Sequence, residues 1–259
     1  MEVDEYLHRI GAARPARPDL DGLRHLQERH VLTVPFENLG YHLDEEIHLG
    51  GPVVDKIVRR RRGGGCYETN PAFGLLLTAL GYDVAILPGR VFRPGGLGPP
   101  YCHLALRVTV GGVPWLVDTG FGRNSRHPLR LDDPGPQADP HGVYRVRDGE
   151  VTCDDRPLYR VDDRPAELDD FRPTLWWWRT SPDSPFLQDV FCSLPTETGR
   201  ATLRGRRLTV DGTATELTGD AAVFAAYRKH FGIDLDRLPR DPLATAAGVI
   251  LDDTPGSRS

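Results

Sequence analysis

The chain has 259 residues, a length that predicts one large domain or about two of ordinary size. Charged residues make up 27% of it and hydrophobic residues 39%, a balance that excludes a disordered chain. The net charge of -5 argues against a broadly basic nucleic-acid-binding protein. The apolar runs are too short to cross a bilayer, and the acidic start of the sequence lacks a signal-peptide pattern. We therefore expect a cytoplasmic protein with no nucleic-acid and no membrane partner.

The first third of the sequence predicts helices. Apolar residues recur at helical spacing from Leu20 to His30, with Asp19 or Asp21 as the cap, and Pro35 should end this helix. A second, shorter helix is predicted over Val53–Arg61.

The run of four arginines at 59–62 is the densest positive stretch of the chain. Basic residues suit the end of a helix because they complement its dipole, so one interpretation is a solvated helix C-terminus. The other interpretation is an anion site for a substrate that carries phosphate.

A third helix is predicted to begin near Asn70 and to end at Gly81. Asn70 has the side chain of an N-cap, and Pro71 suits the first helical position because it has no N–H to satisfy. Gly81 suits the position after the last turn. We expect a helix that starts upstream, at Cys66, to be distorted at Pro71.

From Tyr82 onward the pattern changes to short strands divided by Gly, Pro and Asp turns. The predicted strands are Val84–Leu87, His103–Val110, Val113–Asp118, Val143–Val146 and Leu158–Val161. Their regular spacing favours a barrel or a sandwich. A strand pair over Ala201–Leu217 and an amphipathic helix over Asp220–Phe231 complete a small mixed α/β end.

Cys66 follows three glycines, Gly63 to Gly65, and lies just before a predicted helix. The glycines permit a close backbone approach, and helix N–H groups with nearby arginines would favour a reactive thiolate. The alternative is a buried structural cysteine in a glycine turn. The other three cysteines, Cys102, Cys153 and Cys192, form no C-x-x-C motif, so neither a disulfide framework nor a cysteine metal site is predicted.

A histidine and an aspartate fall on the two strands of one predicted hairpin. The dipeptide Gly111-Gly112 is a two-residue hairpin signal, and its register places Ala105 opposite Asp118. His103 lies two residues from Ala105 on the same face, which makes it the diagonal neighbour of Asp118. A three-residue loop would put the two side chains on opposite faces. We therefore predict a hydrogen bond between His103 and Asp118.

A cysteine near a helix start and a histidine oriented by a carboxylate are the parts of a Cys-His-Asp nucleophilic triad. The spacing alone leaves open a His–Asp pair unrelated to Cys66.

With these residues in place, the sequence resembles the arylamine N-acetyltransferase family, which includes the ansamycin-type amide synthases. The matching segments are P-F-E-N-L at 35–39, R-G-G-G-C-Y-E at 62–68, H-L at 103–104, V-D-T-G-F-G at 117–122, S-P-F at 184–186 and G-R-R-L-T at 205–209. The resemblance implies an α+β fold with a cysteine protease-like active site. Its parts would be a helical bundle over 1–82 that carries the cysteine, a β-barrel over 83–185 that carries the histidine and aspartate, and an α/β lid over 186–259.

The resemblance also implies the roles of individual residues. The catalytic triad would be Cys66, His103 and Asp118. Phe36, Phe121 and Phe186 would line the acceptor pocket, although ordinary aromatic core is an equal interpretation for the first and last. By the same resemblance, Glu37 and Arg62 would form a structural ion pair near the site.

The implied activity is ping-pong transfer of an acyl group to an arylamine or arylhydrazine. Acetyl-coenzyme A or another acyl thioester would be the co-substrate, with no bound cofactor and no metal. Two segments depart from the common family pattern, Gly122–Leu129 and Leu175–Pro182. They keep an alternative open, an amide synthase that releases a polyketide from an acyl carrier protein by macrolactam formation. A thiol hydrolase and a non-catalytic binding protein are further alternatives from other functional classes.

Overall fold

Eight α-helices and fourteen β-strands make up residues 2–242, the part of the chain that this computed structural model describes. The helices are α1 (Val3–Ile10), α2 (Leu20–Thr33), α3 (Leu39–His42), α4 (Pro52–Val58), α5 (Cys66–Ala79), α6 (Arg172–Thr180), α7 (Pro185–Gln188) and α8 (Asp220–Ala226). A 3-10 turn (Leu168–Phe171) precedes α6, and a π turn (Tyr227–Phe231) extends α8. No helix within these residues is long and apolar enough to span a bilayer.

The predicted helix from Leu20 is confirmed as α2. The Asp19 carboxylate caps it by accepting a hydrogen bond from the N–H of Gly22 at 2.9 Å. The helix ends at Thr33, two residues before Pro35, where the pyrrolidine ring cannot continue the hydrogen-bond ladder.

The predicted start of the third helix is wrong: α5 begins at Cys66 and runs through Pro71 to Ala79. Pro71 removes one hydrogen bond of the ladder, and tertiary contacts outweigh that loss. Asn70 does not cap this helix, because its side chain bonds to groups of the neighbouring sheet. The Gly65 carbonyl accepts the first backbone hydrogen bonds of the helix instead.

The strands form two antiparallel sheets. They are β1 (Phe36–Glu37), β2 (Asp83–Arg93), β3 (Gly96–Leu97), β4 (His103–Val110), β5 (Val113–Val117), β6 (Leu129–Arg130), β7 (Gln137–Asp139), β8 (Gly142–Arg147), β9 (Glu150–Cys153), β10 (Arg156–Val161), β11 (Phe191–Pro195), β12 (Arg200–Arg204), β13 (Arg207–Val210) and β14 (Thr213–Glu216).

The larger sheet has nine strands in the order β6-β5-β4-β2-β10-β9-β8-β7, with β3 paired to β2. Its two edges come together, because the Gln137 amide accepts from the N–H of Arg130 at 2.7 Å and donates to its carbonyl at 3.0 Å. The sheet is thereby nearly closed into a barrel, as the sequence predicted.

Strand β4 separates two parts of the hydrophobic core. Leu104, Leu106 and Val108 face the helices, while the alternate residue Ala105 faces the interior of the nearly closed sheet. This alternation follows from the two-residue period of a strand. Because α5 packs on the helix-facing side, β4 lies between the helix that carries Cys66 and the barrel interior.

The smaller sheet has the order β1-β11-β12-β13-β14. The strand pair predicted over 201–217 is in fact three strands, β12, β13 and β14. Asp211 and Gly212 have positive φ angles of 48° and 86° and form a second hairpin turn that the sequence analysis did not separate. The predicted terminal helix is confirmed as α8 with its π turn, and Gly232 ends it in the left-handed conformation.

The architecture is α+β, with helices first, a barrel-like sheet next and a smaller mixed unit last. The three domain boundaries stay predictions, and residues 243–259 of the predicted lid lie outside the described residues. One feature crosses those boundaries, since β1 from the first unit pairs with β11 from the third, with Phe36 opposite Ser193.

Candidate active site

A glycine loop brings Cys66 to the first position of α5. A Cβ atom on Gly63 would lie 1.7 Å from the carbonyl oxygen of Pro35, so only glycine permits this approach of two backbones. Phe36 also forms a single parallel bridge to Gly64, which fastens the loop to β1. The half-buried Cys66 thiol therefore lies in the first helical turn, where N–H groups have no intrahelical acceptor.

The predicted contact between His103 and Asp118 is confirmed. The hairpin has the predicted register, with Val110 opposite Val113 and Leu106 opposite Val117. His103 Nε2 lies 2.8 Å from Asp118 Oδ2, and both side chains are buried. The carboxylate thereby fixes the orientation of the imidazole ring and leaves Nδ1 for another partner.

The Cys66 side chain is close enough to influence the charge of His103. Burial by itself would lower the pKa of His103, but the charges of Asp118 and Cys66 and hydrogen bonds to both raise it to about 10. Burial would raise the pKa of Asp118, yet the His103 charge and its hydrogen bonds hold that pKa below its ordinary value. The raised pKa of His103 favours its imidazolium form beside the Asp118 carboxylate.

Asn70 is a site residue that the sequence analysis assigned to a different role. Its side-chain amide donates to Asp118 Oδ1 at 2.9 Å and to the Leu104 carbonyl at 2.6 Å, and its oxygen accepts from the N–H of Thr119 at 2.7 Å. A signal was present in the sequence, because Asn70 stands one helical turn after Cys66 and therefore on the same face of α5.

An ion cluster of four buried side chains, Glu37, Lys56, Arg62 and Glu68, lies next to the Cys66 loop. Arg62 Nε lies 2.9 Å from Glu37 Oε1, which confirms the predicted ion pair. Lys56 Nζ lies 2.7 Å from Glu68 Oε1 and 3.7 Å from Glu37 Oε1. Although burial would raise it, the pKa of Glu37 is lowered to about 2 by the charges of Arg62 and Lys56.

The arginines of the run at 59–62 lie in different environments. Arg62 is buried in the ion cluster and also bonds to Glu45 at 3.1 Å. Arg59 is exposed and pairs with Asp55 at 3.0 Å, one turn earlier in the chain. Arg59 fits the interpretation as a solvated helix C-terminus, whereas the buried Arg62 does not.

The three predicted pocket phenylalanines lie around the triad. The ring of Phe121 is 5.4 Å from the His103 ring, measured between centroids. The Phe186 ring would lie 3.6 Å from a Cβ atom on Gly65, immediately before the cysteine. Phe36 packs edge-on against Phe186 at 6.3 Å. Their assignment to an acceptor pocket stays a prediction.

The three tryptophans of the chain's Trp run lie on α6 and not on a barrel strand. Trp178 is buried and packs edge-on against Phe186, with ring centroids 4.9 Å apart. Trp176 on the opposite side is 69% exposed. One indole of the run thus supports the aromatic wall beside Cys66.

A cavity of about 420 Å³ opens beside Phe36 and Phe121, and Arg123, Arg200 and Arg204 line its other side. A larger cavity of about 1070 Å³ continues from it and shares Arg123 and Arg200. Burial and the neighbouring Arg123 charge lower the pKa of Arg200. In residues 2–242, neither guanidinium has a carboxylate within 4.0 Å, whereas Arg204 is paired with Asp189.

The polar centre of the site consists of one thiol, one imidazole and one carboxylate. All four cysteines are free thiols. Within the described part of the chain, no three His, Cys, Asp or Glu side chains converge in a way that could hold a metal ion.

Comparison with known proteins places this site in a family. Residues 19–239 match a family model described as N-acetyltransferase. The arylamine N-acetyltransferase of Mycolicibacterium smegmatis is 35% identical over 277 residues, which cover 96% of this chain and 98% of the relative.

The solved structures that resemble this chain belong to the same family as its sequence relatives. The Mycobacterium smegmatis arylamine N-acetyltransferase superposes with a TM-score of 0.82 at 34% identity, covering 97% of this chain and 99% of that one. The Mycobacterium marinum arylamine N-acetyltransferase in complex with CoA gives 0.80 at 32% identity, covering 90% and 93%. Since sequence and fold agree over nearly the whole length, this chain belongs to the arylamine N-acetyltransferase family and is an N-acyltransferase.

Proposed function

We propose that this protein transfers an acetyl group from acetyl-coenzyme A to an arylamine or arylhydrazine, by a ping-pong mechanism that uses Cys66, His103 and Asp118. The observation that carries the proposal is the 2.8 Å contact between His103 and Asp118, next to Gly120, which packs against the Cys66 backbone at the start of a helix. The names of the relatives support the acetyl group and the arylamine class.

In the first half-reaction, the Cys66 thiolate attacks the carbonyl carbon of the thioester, and a tetrahedral oxyanion forms. Backbone N–H groups in the first turn of α5, including that of Cys66, are placed to stabilise this oxyanion. The bond from carbon to the donor sulfur then breaks, and the imidazolium of His103 gives its proton to the departing thiolate. The products are the free donor thiol and an acyl-Cys66 thioester.

In the second half-reaction, the amine nitrogen attacks the carbonyl carbon of acyl-Cys66. His103 accepts a proton from the nitrogen, and Cys66 leaves as a thiolate. Asp118 keeps the imidazole in the productive tautomer and stabilises its charged form in both halves. The amide departs, and the thiolate–imidazolium pair is restored.

The two unpaired arginines support a polyanionic donor. Arg123 and Arg200 lie near each other, line both cavities and lack a carboxylate partner within residues 2–242. Two close cations repel each other, and a phosphate group between them would relieve that repulsion. Coenzyme A carries such phosphates. On the other side of the smaller cavity, Phe36 and Phe121 offer an apolar wall to an aromatic amine, with Phe186 beside Cys66.

Intact-protein mass spectrometry after incubation with acetyl-coenzyme A tests the proposal. We expect one acetyl adduct on the wild type, no adduct on Cys66→Ala, and discharge of the adduct by an arylamine. An adduct that forms only with long-chain acyl thioesters, or with an acyl carrier protein, would favour the amide synthase instead. No adduct with any thioester would overturn the catalytic proposal.

A donor series tests the arginines. The Arg123→Gln and Arg200→Gln variants should raise the KM for acetyl-coenzyme A about tenfold or more, because each loses a charge-assisted hydrogen bond. The KM for acetyl-pantetheine, which has no phosphate, should stay unchanged. Arg145→Gln is the matched control, since Arg145 is already paired with Asp155 at 2.6 Å. Equal losses with both donors would exclude a phosphate contact.

A further inference from the structure

All hydrogen-bonding positions of the buried Asn70 amide are occupied by groups from two neighbouring chain segments. Its nitrogen donates to Asp118 Oδ1 at 2.9 Å and to the Leu104 carbonyl at 2.6 Å. Its oxygen accepts from the Thr119 N–H at 2.7 Å and the Thr119 hydroxyl at 3.0 Å. The amide has two donors and two acceptor positions, so it is fully satisfied without water. Exchange of its oxygen and nitrogen would set like groups against each other at three of the four contacts, since only the Thr119 hydroxyl can either donate or accept.

These four bonds join the segments that carry the three triad residues. Asn70 stands one helical turn after Cys66 on α5, Leu104 follows His103 on β4, and Thr119 follows Asp118. The loop after Asp118 touches the helix directly, because a Cβ atom on Gly120 would lie 2.4 Å from the Cys66 Cα atom. Asn70 is therefore the side chain through which helix, strand and loop meet.

The bonds also divide the two oxygens of the Asp118 carboxylate between different partners. Oδ1 accepts from Asn70 and from the N–H of Gly120 at 2.8 Å, while Oδ2 faces His103 Nε2. With Oδ1 held from two sides, the carboxylate cannot rotate away from the imidazole. A leucine in place of Asn70 would have a similar size and no donor.

We infer that Asn70 is a positioning residue for acyl transfer: its amide holds the Asp118 carboxylate toward His103 and ties both to the helix that bears Cys66. This inference rests on the proposed function, since it assigns Asn70 a part in keeping the thiolate–imidazolium pair. A residue that only held the fold together would change stability and leave the ionisation of that pair as it was.

The experiment compares full-length wild type with Asn70→Leu and Asn70→Asp. The rate of Cys66 alkylation by iodoacetamide is followed against pH by mass spectrometry of the Cys66 peptide. We expect the midpoint of the wild-type profile to rise by about one pH unit or more in Asn70→Leu, because a less stabilised imidazolium holds the thiolate less firmly. The rate constant of Cys66 acetylation should fall about 10- to 100-fold, with the KM for acetyl-coenzyme A within about twofold.

Asn70→Asp keeps the size of the side chain and changes its hydrogen bonding. If Asn70→Leu does not fold, Asn70→Asp provides the test. Its carboxyl group can donate to Asp118 only when protonated, so its deficit against wild type should shrink as pH falls. Gln27→Met is the matched control. Gln27 is an equally buried amide that donates to the Ser125 carbonyl at 3.1 Å, so its loss should lower the melting temperature and leave the alkylation midpoint unchanged.

The outcomes distinguish the two proposals. A wild type that forms no acyl adduct and whose Cys66 alkylates only at the pH of an ordinary thiol overturns the proposed function, and the role of Asn70 with it. A wild type that forms the adduct, combined with Asn70 variants that keep the wild-type midpoint and acetylation rate, overturns the role of Asn70 alone.

Discussion

Two buried polar clusters lie on either side of the first turn of α5, and they handle charge in opposite ways. In the ion cluster, Glu37, Lys56, Arg62 and Glu68 balance two cations against two carboxylates, joined at 2.7 to 3.7 Å. In the triad cluster, formed by Cys66, His103, Asp118 and Asn70, one oxygen of Asp118 pairs with His103 and the other accepts from Asn70.

The difference shows that burial alone does not determine the role of a polar cluster. In the ion cluster, Glu68 lies 2.7 Å from Lys56 and Glu37 lies 2.9 Å from Arg62, and these pairs hold the backbone around the Gly63–Gly65 loop in place. Burial raises the pKa of Glu68, whereas the neighbouring cations lower that of Glu37. In the triad cluster, the Asp118 charge raises the pKa of His103, and in the proposed mechanism this imidazole exchanges protons with the substrates bound at Cys66. The ion cluster thus has a structural role, whereas the triad cluster has a proposed role in proton transfer.

The largest expected effect comes from breaking the triad cluster at Asp118. Asp118→Asn keeps the size of the side chain but removes the charge and favours the wrong imidazole tautomer. We expect the Cys66 acetylation rate constant to fall about 10³- to 10⁴-fold, as similar changes do in other nucleophilic triads. Rapid-quench mass spectrometry measures it. A fall of less than tenfold, in a variant with wild-type stability, would contradict this role of Asp118.

The next largest effect should come from breaking the ion cluster at Lys56. Lys56→Met leaves two buried carboxylates with less compensation, so the free energy of unfolding should fall by about 3–5 kcal/mol, measured by urea denaturation. The double variant Lys56→Met/Glu68→Leu should recover much of that loss, since it removes the charge on both sides. If the single and double variants are equally unstable, the pairing with Glu68 is not what matters.

Acidification should sharpen the comparison. The folded pKa of Glu37 is about 2, below its ordinary value, so its stabilising contribution is present above about pH 4.3 and is lost as pH falls toward 2. The loss should amount to about 3 kcal/mol, read from urea unfolding curves between pH 5 and pH 2. Glu37→Gln, which cannot titrate, should lose less over the same range.

The raised pKa of His103 has the opposite effect on the pH dependence of stability. The folded pKa of His103 is raised to about 10, so its contribution is complete below about pH 6.5 and is lost as pH rises toward 10. Acid therefore removes the contributions of Glu37 and Asp118, whose pKa values are lowered, and alkali removes that of His103.

The smallest effect is expected at the exposed arginines. Arg59 is 67% exposed and pairs with Asp55 across one helical turn. Arg59→Gln should change the free energy of unfolding by less than about 0.5 kcal/mol, because solvent screens such pairs. The KM for acetyl-coenzyme A should stay at its wild-type value. A clear rise in that KM would revive the interpretation of the arginine run as an anion site.

The His103–Asp118 contact could be predicted from the sequence because a short hairpin fixes its own register. A Gly-Gly turn and the two-residue period of strands are local rules, and together they place two side chains that are 15 positions apart. The helix ended by Pro35 and capped by Asp19 was predictable for the same reason. Local signals suffice where the partners of a residue are near it in the chain.

Asn70 and Lys56 show where such local rules fail. Asn70 has the side chain of a helix cap, and although its spacing from Cys66 places both on one helix face, no local rule identifies partners that lie 34 to 49 positions further on. Its bonds there and the packing of α5 outweigh the single hydrogen bond lost at Pro71. Lys56 stands in a short basic helix, yet it is buried because Glu37 and Glu68 converge on it from different segments.

The pairing of β1 with β11 has a consequence for the order in which the molecule is completed. Phe36 contacts Gly64 of the cysteine loop and also pairs with Ser193, which is synthesised much later. Chains emerge from the ribosome N-terminus first, and contacts between distant positions form slowly. A nascent chain that ends before β11 therefore already contains Cys66, on a loop whose neighbouring strand still lacks its permanent partner. The reactive thiol is made early, and its surroundings are finished near the end of synthesis.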